Sequence, residues 1–129
     1  MTNYFTDNEL KCKCGCGLLN LAPAFRSHLN ELREEFGKAM IVNSCCRCEK
    51  HNKAIGGHPH SLHVGENSYH KTGGTCAIDI DTSRMLISDR MKLIFLASVN
   101  GWSVGLGSTF LHLDLRKLYV NLPQVCFDY

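Results

Sequence analysis

Apolar residues along the chain keep two rhythms, and the change from one to the other outlines the elements. Phe25, Leu29, Leu32 and Phe36 recur at near-helical spacing between Pro23 and Gly37, so an amphipathic helix is expected to start at the proline and stop at the glycine. Met40-Ile41-Val42 reads as a short buried strand. From about Asn43 to Thr75 the periodicity fades into a stretch rich in Gly, His, Ser and Asn, and a loop that long inside one domain usually carries function. Alternation returns at Cys76 to Asp81, a strand with Ala77, Asp79 and Asp81 on one face and Cys76, Ile78 and Ile80 on the other. Ser88 is placed to cap a second helix through Leu93, Phe95, Leu96 and Val99, ended by Asn100-Gly101. Trp102-Ser103-Val104 and Thr109 to Leu115 then suggest a hairpin, its last strand sending Leu111, Leu113 and Leu115 one way and Phe110, His112 and Asp114 the other.

With 129 residues, 44% of them hydrophobic, the chain can bury one core and is read as a single domain over 1–129. The net charge of +2 is spread over the chain with no block of one sign, which argues against a nucleic-acid partner. No apolar run reaches the roughly 18 to 20 residues that span a bilayer. The polar start MTNYFTDNEL has no secretory pattern either, so no membrane partner and a cytoplasmic location are expected, unless the chain is exported or released.

Zinc prefers imidazole, carboxylate and thiolate donors, and a catalytic site keeps three protein ligands with one position open. His63 in the long loop, Asp79 on one strand and His112 on a later one offer such a set, although 7 histidines allow many triples. The 8 cysteines allow another centre. Cys12, Cys14 and Cys16, with Cys45, Cys46 and Cys48, could gather thiolates for a structural zinc or an iron–sulfur cluster, although only Cys45 and Cys48 have C-x-x-C spacing. Disulfides between the two groups, or buried free thiols, are the alternatives, and Cys76 and Cys126 read as core residues.

Several stretches, in order and over nearly the whole chain, resemble peptidase family M15, the zinc D-Ala-D-Ala peptidases, particularly its small, endolysin-like phage and prophage members. The start carries Tyr4-Phe5-Thr6, Glu9 and Cys12-Lys-Cys14-Gly-Cys16-Gly17. The centre carries Val42-Asn43-Ser44, Arg47, Asn52-Lys53-Ala54 and Gly56-Gly57, leading into Ser61-Leu62-His63. Ala77-Ile78-Asp79-Ile80 and the closing Phe110-Leu111-His112-Leu113-Asp114 complete the series.

The resemblance implies an α+β fold of the hedgehog/DD-peptidase kind, a small antiparallel sheet with packed helices. It implies zinc held by His63, Asp79 and His112, with Arg47 and Ser61 near the substrate and Arg47 suited to clamping a carboxylate. A peptidoglycan peptide is the implied substrate, cut by a monomer that reaches the wall during phage lysis or travels in a virion. Two departures bear on the site. An insertion between Val64 and Thr75 supplies Ser68-Tyr69-His70 as a rival to Ser61-Leu62-His63, and Thr109 stands where many relatives carry an acidic general base. Asp114, about 7 Å along the strand from His112, is the candidate to orient that histidine or move the proton, with Glu66 a weaker one. A non-catalytic zinc module of the same fold, and a cysteine-rich structural metal protein, are the competing readings.

Overall fold

The apolar stripe between Pro23 and Gly37 becomes α2 (Phe25–Phe36), preceded by α1 (Asp7–Leu10), in a computed structural model that describes residues 2–66 and 69–129. Ser68 of the rival Ser-x-His therefore lies outside the described residues. There follow β1 (Ile41–Ser44), α3 (Glu49–Ala54), β2 (Ala77–Asp81), α4 (Ile87–Val99), β3 (Ser103–Leu106), β4 (Phe110–Asp114), α5 (Arg116–Tyr119) and β5 (Cys126–Asp128). The strands form one sheet in the order β1-β2-β4-β3-β5. Its first four strands are antiparallel and β5 joins β3 in parallel, so the fold is α+β with a mixed sheet instead of the wholly antiparallel one expected.

One face of the sheet makes the core. Ile78 and Ile80 from β2 and Leu111 and Leu113 from β4 are fully buried against Phe25, Leu29 and Leu32 of α2 and Leu93 and Ala97 of α4. Trp102 meets Phe25 edge to face at 5.6 Å, which locks the entry to β3 onto the start of α2. The other face carries Asp79 and His112, as the alternation of both strands requires.

Three local expectations are corrected. Leu86, not Ser88, stands at the N-cap of α4, without a side-chain cap bond; packing of Leu93 and Ala97 sets the helix phase and leaves Phe95 and Val99 exposed. The long loop contains α3, whose cap is the Cys48 sulfur accepting from the His51 N–H; a short polar helix has no apolar stripe to betray it. Cys126 is exposed on β5, while Cys76 is buried as expected.

At the approach to β2 two backbone segments cross closely. Thr75 exchanges hydrogen bonds with Asn20 and Ala22, and Gly74, at φ +147°, lies so close that a Cβ there would stand 2.6 Å from the Leu21 carbonyl carbon and 2.7 Å from the Ala22 nitrogen. Those neighbours are main chain and cannot swing aside. Gly74→Ala is expected to cost about 3 kcal/mol from overpacking and backbone strain together, lowering Tm by about 10 °C. Thermal unfolding by circular dichroism measures this, and a change within about 2 °C would show that the crossing yields.

Candidate metal centre

Sheet register makes half of the site. Asp79 on β2 and His112 on β4 are direct cross-strand partners, so their side chains leave the same face side by side. The third member comes from the loop. The His63 carbonyl accepts from the Arg47 N–H at 2.9 Å and the Thr75 hydroxyl at 2.8 Å, and its N–H donates to the Ser61 hydroxyl at 3.2 Å. Held from three sides, the His63 ring is turned onto the strand pair.

Three atoms meet there. His63 Nε2 lies 3.1 Å from Asp79 Oδ1 and 3.3 Å from His112 Nδ1, and His112 Nδ1 lies 3.0 Å from Asp79 Oδ1. Each ring is fixed by its outer nitrogen. His63 Nδ1 donates to the Cys45 carbonyl at 2.8 Å, and His112 Nε2 donates to Asp114 Oδ2 at 2.7 Å. Since a carbonyl and a carboxylate only accept, the outer nitrogens carry the protons and the inner ones turn lone pairs toward Asp79.

Such a set fits a cation. Ligand bonds of about 2.0–2.1 Å in tetrahedral geometry put donor atoms about 3.3 Å apart, close to the spacing seen here. The electrostatics agree. Burial alone would raise the Asp79 carboxyl, but the imidazoles of His112 and His63 beside it outweigh burial and hold the group below the ordinary carboxylate range. Burial keeps His63 below the ordinary imidazole value. For His112, burial acts the same way, yet the neighbouring carboxylates of Asp114 and Asp79 overcome it and raise its pKa, so the two carboxylates favour positive charge between them.

Behind these three stands a supporting layer. Arg47 donates from Nη2 to Asp79 Oδ2 at 3.1 Å, from Nη1 to Asn52 at 3.2 Å and from Nε to Ser44 at 2.9 Å, which leaves Oδ1 of Asp79 for the centre. Asp114, fully buried, also accepts from the Arg116 side chain at 3.0 and 2.7 Å, and its pKa falls to about 2 because bonds to His112 and Arg116 exceed the opposing effect of burial.

The three atoms form the floor of a cleft of about 730 Å³ that Arg47 and Ser61 line. His70 lines it too, edge-on to His60 with ring centres 6.2 Å apart, but His63 is the histidine that joins Asp79 and His112. Glu66 does not reach the cleft; its carboxylate accepts from the Glu49 N–H at the start of α3. Thr109 is exposed outside it, its carbonyl bonded to the Thr82 N–H. One wall was not anticipated. Phe127 on β5 is paired with Gly105, and across that bare position its ring comes within 5.8 Å of His112, with Tyr129 at 6.1 Å. The alternation of Phe127 and Tyr129 was a signal for this face.

Comparison with known proteins agrees with the geometry. No curated protein and no solved structure matches, but the family model described as Peptidase M15 matches residues 3–114, which contain all three converging side chains and end at Asp114, leaving the Phe127–Tyr129 wall beyond the match. With that match over most of its length, the chain belongs to peptidase family M15.

Proposed function

We propose that the chain is a zinc-dependent metallopeptidase acting on peptidoglycan stem peptides, of the D-Ala-D-Ala carboxypeptidase or endopeptidase type. The observation that carries the reading is the convergence of His63 Nε2, His112 Nδ1 and Asp79 Oδ1 within 3.0–3.3 Å on the floor of the cleft. Zinc, when bound, supplies Lewis-acid polarisation of a carbonyl and activation of water.

The remaining work falls to the chain's own residues. His63, Asp79 and His112 hold the ion, while the Cys45 carbonyl and Asp114 keep the two rings in the required tautomer and orientation. Arg47 spends three of its five N–H groups on Ser44, Asn52 and Asp79, which leaves one on each terminal nitrogen for a peptide carboxylate. Ser61 fixes the turn that presents His63 and lies on the substrate wall. Asp114, buried with both oxygens engaged, acts as a positioning residue for His112. A monomer working on wall peptides, reached on lysis or from a virion, suits the open cleft.

One observation favours a second reading, a zinc-binding module that does not hydrolyse. Among the described residues Asp79 and Asp114 are the only side-chain carboxylates on the cleft lining, and both are committed to the centre. Incubating the zinc-loaded chain with purified cross-linked peptidoglycan and with a peptide ending in D-Ala-D-Ala separates the two. Release of free D-alanine or of uncross-linked stem peptides, abolished by 1,10-phenanthroline and restored by zinc, is expected; binding to the wall without any product would leave the module reading.

A further inference from the structure

A second group of metal-binding side chains lies apart from the cleft, in the loop after α1. Cys12, Cys14 and Cys16 alternate there, with the backbone turning at Gly15 (φ +93°) and Gly17 (φ +77°). The Cys12 N–H closes the turn on the Leu18 carbonyl at 2.8 Å. Cys48, the residue before α3, comes in from the other side.

The four sulfurs all lie within 4.8 Å of one another. Cys12 Sγ is 3.5 Å from Cys14 Sγ, which is 3.7 Å from Cys48 Sγ. Four thiolates around one zinc ion, with bonds of about 2.3 Å in tetrahedral geometry, stand about 3.8 Å apart. A disulfide requires sulfurs at about 2.05 Å, and all four cysteines are free. A cluster of several irons would hold its thiolates farther apart, because the inorganic core lies between them. The spacing therefore selects a single tetrahedral ion.

Backbone amides are turned onto the same sulfurs. The Cys48 N–H donates to Cys12 Sγ at 3.4 Å, the His51 N–H to Cys48 Sγ at 3.3 Å and the Leu18 N–H to Cys16 Sγ at 3.5 Å. A neutral thiol is a weak acceptor, whereas a metal-bound thiolate is oriented and stabilised by such donors. Cys45 and Cys46, adjacent in sequence, are buried elsewhere and take no part, with Cys46 turned to the Asn20 carbonyl.

We propose that Cys12, Cys14, Cys16 and Cys48 hold one structural zinc ion, independent of the histidine–aspartate centre. The four thiols give up their protons to solvent as the ion binds. The ion ties the first loop of the chain to the residue next to Arg47, and Arg47 in turn holds Asp79. It thereby braces one wall of the cleft without touching it.

Elemental analysis of the full chain, purified reduced in the presence of zinc, is expected to give about two zinc ions per chain, one for each group of ligands. Cys14→Ser with Cys48→Ser should lose one ion, and Asp79→Ala should lose the other. Because loss of a structural ion can also unfold the chain, the wild type and Asp79→Ala are titrated with cobalt(II) in parallel. Thiolate-to-cobalt charge-transfer absorption in the near ultraviolet is expected in both, with the intense visible bands of a tetrahedral ion. Absence of those bands in the reduced wild type, or a zinc count that the cysteine substitutions leave unchanged, would overturn the proposal, whatever happens at the histidines.

Discussion

His63→Ala and Asp79→Ala should each strip the ion from the histidine–aspartate centre, whereas His70→Ala should leave it in place. The expectation rests on reach. His63 and Asp79 contribute two of three donor atoms mutually 3.0–3.3 Å apart, and removing either leaves two protein ligands, too few for the three-ligand site that a catalytic zinc requires. Residues that merely orient ligands are typically worth about 10–100-fold in metal affinity or activity, so loss of a ligand should exceed about a hundredfold. Both variants keep the apolar face of the sheet intact, with Ile78 and Ile80 still buried, so folding should survive. Zinc affinity measured by competition with a chromophoric chelator reads the result. Wild-type affinity in His63→Ala, together with loss in His70→Ala, would move the first ligand to the inserted loop and reject the centre described above.

How far this centre could be read in advance depended on what kind of local signal each part leaves. Asp79 and His112 were legible because alternation assigns each to one face of its strand, and the β2–β4 register merely set them opposite each other. His63 was different. It sits in a segment without periodicity, and its bonds to Arg47, Thr75 and Ser61 are long-range or turn contacts, so only the order of stretches shared with the family pointed to it. That Asp114 is saturated by Arg116 could not be seen, because strand phase gives a side chain's face but not its partner two residues on. β5 escaped for a physical reason as well: a strand of three residues that pairs in parallel with β3 has its support in non-local contacts. The cysteines were legible as a group and not as a set. Spacing along the chain could not separate Cys48, whose sulfur meets Cys14, from Cys45 and Cys46, which are buried in other surroundings.

Replacing Asp114 should have two separable effects, depending on what replaces it. The carboxylate is fully buried and accepts from His112 Nε2, the Arg116 backbone N–H and Arg116 Nε and Nη2. Asp114→Ala deletes the acceptor for all of them and leaves the Arg116 cation and the His112 N–H facing an empty position. Breaking a buried pair in this way costs about 3–5 kcal/mol, and the lower end applies because Arg116 is a quarter exposed and can turn to solvent. Tm should fall by about 10 °C. Asp114→Asn keeps the volume and one carbonyl oxygen, so its stability loss should be smaller, but the neutral amide no longer strengthens the His112 ring as a donor. Zinc affinity should then fall about 10–100-fold. This outcome separates positioning from proton transfer. A group that moves the proton can be neutralised with the metal still tightly bound and kcat alone lost, whereas a group that holds His112 must weaken the metal itself. Asp114→Asn with unchanged zinc affinity and a collapsed kcat would therefore make Asp114 the base, against its buried and fully bonded place in the fold.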